Sequence, residues 1–371
     1  MGRKKVLFVL HYLAGGGTER VVVRILQSLD RTRFHPSLVV FQKKGVFLSE
    51  LPQDVRIFDL DRYGSGGRFV WIIRFANLIR KENPDVLFSF LWFVNMATIV
   101  ARFLSRVRCR LVVSERVSLE GAHEGLIEDM LRRAGIFLLY SFSDRIVTNS
   151  VMMRKQLVDR FRFHHKKVVA IPNPVDIDRI EARAKEADTV IAEEGTLPLV
   201  IGMGRLTPQK GFDLLIRSMT FSRFLFRLIL IGEGENLDRL QELSRKLDVT
   251  GRVVFTGFQT NPYPTLAMAQ VFVLSSRFEG FPNALVEAMA LGVPCVSARC
   301  PTGPEEIITD GVDGLLVSVE DPRALASAID SLLSDGTLRK RIGLAGRERV
   351  REYDIPAVIR RFESLIEEAI P

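Results

Sequence analysis

Short apolar runs alternate with longer amphipathic stretches along the first part of the chain. VLFVL (6–10), SLVVF (37–41), VRIFDL (55–60), DVLFSF (85–90), RLVVS (110–114), RIVTN (145–149) and VVAI (168–171) read as strands. Between them, 21–29, 68–81, 92–105, 124–141 and 150–161 place apolar residues at helical spacing. Short apolar strands separated by helices predict a parallel sheet covered on both faces. The rhythm breaks at 172–197, where PNPVD favours a turn and EARAKEADTVIAEEG is charged and poor in large apolar residues. It restarts with strands at PLVIGMG (198–204), RLILIG (227–232), VVFTG (253–257), VFVLSS (271–276) and PCVSA (294–298). Helices are expected at 211–220, 235–247, 283–291 and 321–350. A last one, 355–369, carries Ile359, Phe362, Ile366 and Ile370 on one face.

This pattern predicts an α/β protein of two doubly wound, Rossmann-like domains joined by a linker near 172–197. Ligands of such sheets bind outside the carboxyl ends of the strands, so a cleft between facing domains is the expected site. The length of 371 residues suits two domains. Apolar content of 47% and charged content of 26% exclude long disorder. Cys109, Cys295 and Cys300 contain no CxxC pair, so a reducing compartment is expected. MGRKKVLFVL lacks a cleavage site, and no apolar run approaches the ~18 residues of a membrane span.

The net charge of +8 is unevenly distributed. Residues 1–180 carry 30 Lys and Arg against 17 Asp and Glu, whereas 181–371 carry 22 against 27. A basic half of this kind meets nucleic acid, an anionic membrane or an anionic substrate.

Candidate chemistry sits at strand-to-helix junctions. Gly15, Gly16 and Gly17 follow the first strand, where glycine permits close backbone approach to an anion at a helix N-terminus. The loop lacks the GxGxxG spacing and the following acidic residue of a dinucleotide site, and a tight turn explains it equally well. Arg205 and Lys210 flank a single loop after the first strand of the second domain. Two fixed cations there suit a diphosphate, although singly each also reads as a solvated surface charge. Further on, Glu279 lies in a loop and Glu287 in the helix after it, with amide N–H groups of Phe281 to Leu285 between them. Glu287 stands among Ala284, Leu285, Val286, Ala288 and Met289. A poorly solvated carboxylate there needs hydroxyl or amide donors, from a sugar or from the protein's own backbone.

GRLTPQKGFDLLI, LILIGEGENLDRLQEL, VVFTGF, SSRFEGFPNALVEAMALGVPCV and DGVDGLLV, in this order and spacing, resemble the retaining glycosyltransferases of family 4. AGGGTERVV, SER (114–116), TNS (148–150) and IPNPVD (171–176) extend the resemblance more loosely through the first half. It implies the GT-B fold, with an acceptor-side domain at 1–172, a nucleotide-sugar domain at 173–354 and a helix at 355–371 crossing back. It implies that Arg205 and Lys210 grip the donor diphosphate and, with Glu279, form the catalytic set. Glu279 and the backbone N–H groups from Gly280 through Phe281, Pro282 and Asn283 to Ala284 would meet the sugar, and Leu285 would belong to the same donor-binding set. Glu287 would hold the ribose, Phe258 and Gln259 the base, and Gly16 the donor phosphates or acceptor. Family members commonly carry a His where this chain reads Val113-Ser114-Glu115-Arg116. Glu115 and His123 lie nearby, without an assigned role. Retention is explained in the family by same-face attack, with the donor phosphate taking the acceptor proton.

The resemblance thus implies transfer of a sugar from a nucleotide sugar, a UDP-hexose or UDP-N-acetylhexosamine, to a lipid-linked saccharide or growing surface polysaccharide. No metal or other cofactor is expected, because side chains grip the phosphate. Asp59-Leu60-Asp61 and Asp176-Ile177-Asp178 are read as turn residues, and His164-His165 as part of a solvated basic stretch. Arg102-Phe103, Arg106, Arg108, Arg110 and Arg160-Phe161-Arg162-Phe163 suit an anionic membrane surface. No RNA-binding signature accompanies them, so no nucleic-acid partner is expected. The expected location is the cytoplasm, peripheral on the inner face of the cytoplasmic membrane. The rival readings are a non-hydrolysing sugar-nucleotide epimerase of the same fold and a non-catalytic nucleotide-binding module.

Overall fold

Seven parallel strands form the first sheet: β1 (Lys4–Leu10), β2 (Phe34–Val40), β3 (Arg56–Asp59), β4 (Val86–Phe90), β5 (Arg110–Glu115), β6 (Arg145–Thr148) and β7 (Val168–Ala170). Their order is β3-β2-β1-β4-β5-β6-β7. The connecting helices are α1 (Gly17–Ser28), α2 (Val70–Glu82), α3 (Trp92–Ser105), α4 (Leu126–Leu139) and α5 (Val151–Phe161). The computed structural model describes residues 2–14, 16–62, 70–116, 126–186 and 197–368. Val6 to Leu10 of β1 are buried on both sides of the sheet, which is why this strand reads as an unbroken apolar run.

The second sheet contains β8 (Leu199–Met203), β9 (Arg227–Ile231), β10 (Val253–Gly257), β11 (Val271–Leu274), β12 (Cys295–Ala298) and β13 (Leu315–Val317), again parallel, in the order β10-β9-β8-β11-β12-β13. Its helices are α6 (Ile177–Arg183), α7 (Phe212–Ser218), α8 (Leu237–Lys246), α9 (Tyr263–Ala267), α10 (Asn283–Ala290), α11 (Pro304–Ile307), α12 (Pro322–Ser334) and α13 (Gly336–Arg349). Val175–Asp354 is one compact unit; the other contains the chain up to Pro174 together with α14 (Ile355–Glu368). α14 buries Val358, Ile359, Phe362, Leu365 and Ile366 in the core under β1 and β4. Glu363 accepts the Asp30 N–H at 2.9 Å and pairs with Arg33 at 2.9 Å.

Two expectations need correction. The single helix expected over 321–350 is two, because Asp335 caps α13 by accepting the Thr337 and Leu338 N–H groups at 2.9 Å. The charged stretch after Pro174 is not all linker. Asp176 caps α6 through the Arg179 N–H at 3.0 Å, and Ile180 is buried in the second unit's core.

α4 keeps its helical period but inverts its polarity. Arg132, 1% exposed, faces inward with Ile136 and Tyr140, while Met130, Leu131, Phe137 and Leu138 face out. The buried guanidinium pairs with Glu115 at the end of β5 (2.9 Å), and the Tyr140 hydroxyl donates to the other Glu115 oxygen at 2.9 Å. Such a pair is tolerable in a core only when hydrogen bonds complete it. Burial and the Glu115 charge push the Tyr140 phenol well above its ordinary value. Among the described residues no helix is long and apolar enough to cross a membrane.

Candidate functional site

In the second sheet the strand order reverses between β8 and β11, and the loops leaving these two strands border the crevice where ligands of open sheets bind. Arg205 and Lys210 follow β8; Glu279 follows β11. Backbone bonds stitch the neighbouring loops together. Gly204 N–H donates to Ile231 O (2.9 Å), Leu206 N–H to Glu233 O (2.8 Å) and Gly232 N–H to Gly257 O (2.9 Å). Gly232 has φ +138°, and an added Cβ would stand 2.0 Å from Gly204 O, so only glycine lets these loops meet. Gly211, at φ +61°, comes as close to Ser275 O (2.2 Å for an added Cβ) and joins the two crevice loops.

The crevice brings Lys210 and Glu279 together. Lys210 Nζ donates to Glu279 Oε1 at 2.6 Å, and Ser276 Oγ donates to the same oxygen at 2.7 Å. Glu279 is 5% exposed, and its carbonyl accepts from the Thr302 hydroxyl. Arg205 is exposed and forms no side-chain bond among the described residues. A cation pinned by a carboxylate therefore stands in the same loop as an unpaired one. The amides of Gly280, Phe281 and Ala284 have no backbone acceptor among the described residues. Two expected amide donors fall away: Pro282 has no N–H, and Leu285 uses its own on Pro282 O at 3.0 Å. The Leu285 side chain is core. Asn283 begins α10, and Glu287 lies within it, 3% exposed.

Phe258 and Gln259 follow β10. The Phe258 ring is exposed, and its N–H donates to Glu233 Oε1 at 3.2 Å. Gln259 Oε1 accepts from Thr265 at 3.5 Å; its Nε2 is buried with no acceptor among the described residues.

In the first unit, Gly16 caps α1 with ordinary extended dihedrals, so it is space that limits a side chain there: an added Cβ would lie 2.3 Å from Glu19 Oε2. Glu115, held by Arg132 and Tyr140, is a core group. His123 and Gly15 lie outside the described residues. Asp59 accepts the Lys43 and Asp61 N–H groups, and Asp176 caps α6, so both Asp-x-Asp strings are engaged in turns.

Sequence reading missed the residue that ties the crevice together. Arg277 forms a two-pronged pair with Asp213 (2.8 and 2.9 Å), bonds to Glu320 (2.5 Å), and donates from Nη1 to Pro208 O (2.7 Å). Its N–H donates to Gln209 O at 2.8 Å, and Gln209 Nε2 returns a bond to Phe278 O at 2.9 Å. Burial alone would raise the Asp213 carboxyl, but the Arg277 bonds and charge outweigh it and hold it below its ordinary range. Arg277 is correspondingly raised, by its bonds to Asp213 first. The clamp is thus complete above the ordinary carboxylate pKa and loosens as pH falls through the lowered Asp213 value. Arg277→Lys keeps the charge and loses the fork. Calorimetric titration with inorganic diphosphate should show affinity about tenfold lower, with unchanged far-UV circular dichroism. Unaltered affinity would show that the loops hold their places without the clamp.

Comparison with known proteins gives the family and the fold. Residues 15–179 match the model described as Glycosyltransferase Family 4, and 184–349 match Glycosyl transferases group 1. The N-acetylgalactosamine-N,N'-diacetylbacillosaminyl-diphospho-undecaprenol 4-alpha-N-acetylgalactosaminyltransferase of Campylobacter jejuni is 27% identical over 359 residues, 95% of this chain and 96% of the relative. The lipopolysaccharide core biosynthesis glycosyltransferase LpsE of Rhizobium meliloti is 29% identical over 342 residues, covering 91% and 92%. The solved structure of Anabaena Alr3699/HepE in complex with UDP and glucose matches with a TM-score of 0.84 at 21% identity, over 99% of this chain and 100% of that one, a likeness of fold. With a family 4 domain in its first half, a group 1 domain in its second and the GT-B fold throughout, the chain belongs to the family 4 glycosyltransferases.

Proposed function

We propose that the protein moves a hexose or N-acetylhexosamine from a UDP-sugar to a lipid-linked saccharide or growing surface polysaccharide, with retention and without a metal. The observation that carries this reading is Lys210 held at 2.6 Å on Glu279 beside the unpaired Arg205, at the strand ends of the second unit. The relative acting on a diphospho-undecaprenol saccharide and the UDP-bound fold neighbour support the choice of acceptor and donor.

As the bond from C1 to the diphosphate breaks, negative charge grows on the leaving oxygen. Lys210 and Arg205 are already in place to meet it, so they stabilise the transition state more than the ground state. The bond from C1 to the acceptor oxygen forms on the same face, and the acceptor proton passes to the departing diphosphate. Glu279 orients Lys210 through Oε1 and offers Oε2 to a sugar hydroxyl. The amides of Gly280, Phe281 and Ala284 donate to the same sugar. Glu287 takes the ribose hydroxyls; the exposed Phe258 ring stacks on the base and Gln259 Nε2 donates to it. Lys210→Ala or Arg205→Ala should lower turnover with a UDP-sugar about 100- to 1,000-fold, and EDTA should leave wild-type turnover nearly unchanged. Near-normal turnover in both variants, or loss in EDTA restored by Mg²⁺, contradicts the proposal.

The same reading places the protein on the cytoplasmic membrane face, through the outer side of α3 and α4. Phe103 is 82% exposed, and Leu104 and Phe142 are exposed with it, as are Phe137 and Leu138 on α4. A groove of ≈ 510 Å³ is lined in part by Ile99, Val100, Phe103, Leu139 and Phe142 together with the exposed Arg106, and Arg108, two residues on, is exposed as well. Apolar side chains ringed by arginine fit the boundary between acyl chains and anionic headgroups. Three residues expected to help do not fit this face: Arg110 pairs with Asp144 at 2.8 Å, and Phe161 and Phe163 pack on the core. In liposome co-sedimentation, binding should rise with phosphatidylglycerol, fall with salt, and weaken in Phe103→Ser/Phe142→Ser and in Arg106→Glu/Arg108→Glu. Equal partitioning onto neutral and anionic vesicles, or none onto either, would remove the membrane from the proposal.

A further inference from the structure

Arg116, immediately after β5, is 5% exposed and pairs with no acidic side chain among the described residues. Nε donates to Ser114 Oγ at 2.9 Å and Nη1 to Asn173 Oδ1 at 2.5 Å. Phe90 and Phe362 lie with their ring centroids 5.3 and 5.9 Å from the guanidinium carbon and fix its plane. Nη2 is buried and has no acceptor among the described residues. A side chain bonded to the Arg116 main chain has the complementary lack. Asn149, after β6, donates from Nδ2 to Arg116 O at 3.3 Å, which fixes the amide orientation and leaves Oδ1 buried without a donor among the described residues.

An unpaired buried guanidinium is among the costliest groups a core can hold. Burial pushes Arg116 down to about 9, and among the described residues no neighbouring charge opposes it. The contrast with Arg132 is direct: that arginine, on α4, is matched by Glu115, the last residue of β5. The place matters too, since Arg116, Asn149 and Asn173 all follow the carboxyl ends of strands, where open sheets receive ligands. The two unmet groups ask for different atoms. The guanidinium N–H asks for an acceptor, best an anionic oxygen; the Asn149 carbonyl asks for a hydroxyl or N–H donor.

We propose that Arg116 and Asn149 form a phosphosugar-binding subsite in the first unit, the guanidinium taking a phosphate oxygen and the Asn149 carbonyl a neighbouring sugar hydroxyl. The geometry is independent of the donor grip. Only the source of the ligand, a diphosphate-linked acceptor or the donor itself, rests on the glycosyltransferase reading.

The test is calorimetric titration of the full chain with N-acetylglucosamine 1-phosphate, N-acetylglucosamine and UDP, with melting curves run in parallel. The wild type should bind the phosphosugar in clear preference to the neutral sugar. Arg116→Gln should weaken phosphosugar binding about 10- to 100-fold, the loss of one charge-assisted contact. Asn149→Asp guards against a simple folding defect. It adds a negative charge to the loop after β6, where residue 149 contacts the Arg116 main chain at 3.3 Å, so it should raise the melting temperature of the free protein while lowering phosphosugar affinity to a similar extent. A purely structural Arg116 would give the first effect without the second. If UDP affinity is unchanged in both variants, the subsite serves the acceptor; if it falls in parallel, the subsite serves the donor diphosphate. Wild-type phosphosugar affinity in both variants, or no phosphosugar binding by the wild type, overturns the proposal. Failure of the wild type to bind UDP would instead count against the glycosyltransferase reading.

Discussion

The second unit is organised around one ion pair. Lys210 leaves the loop after β8, Glu279 the loop after β11, and their 2.6 Å contact closes the crevice between the two central strands. Every other feature of the site keeps these loops where the pair can form. Glycine at 211 and 232 lets backbones approach within distances that no Cβ permits. Ser275 Oγ donates to Lys210 O at 2.9 Å, and Arg277 draws the carbonyls of Pro208 and Gln209 toward the Glu279 loop. The cation is thereby fixed before any ligand arrives, which is the condition for it to stabilise charge that develops during a reaction.

The first unit handles charge differently. Two of its buried arginines, Arg116 after β5 and Arg132 on α4, look alike by burial alone. Arg132 is answered by Glu115 and Tyr140, and its helix turns an apolar face outward in exchange. Among the described residues Arg116 is answered only by neutral oxygens and aromatic faces. The first arrangement belongs to the fold; the second keeps a cation ready for something else. A basic half of the chain is thus neither uniformly solvated nor uniformly functional.

Much of this was legible because the local physics repeats. Strands covered on both faces must be short and apolar, and glycine-rich strand-to-helix turns mark where backbones crowd. Both signals are local, and they carried the two-domain Rossmann-like fold and the loops that border the crevice. What escaped was either non-local or ambiguous in sign. Asp213 and Arg277 meet across the crevice, and no periodicity links them. The run through 321–350 keeps apolar residues on both sides of Asp335, which hides a cap in mid-pattern. The helical period of α4 is the same whichever face turns inward, so only Glu115 below it explains why Arg132 is buried and Phe137 is not. In the charged stretch after Pro174 the buried Ile180, with Ile177 packed on the same core, anchors α6, too little to stand out from its neighbours.

Diphosphate recognition in the crevice between β8 and β11 is proposed to rest on Lys210 and Arg205. Its most direct measurement is the difference in affinity between UDP and uridine, taken by calorimetry on the wild type and on Lys210→Ala. The account predicts that UDP binds about 100-fold or more tightly than uridine, and that removing Lys210 takes away most of that difference while uridine binding hardly moves. Equal affinities for UDP and uridine in the wild type, or an undiminished gap in the variant, would contradict it.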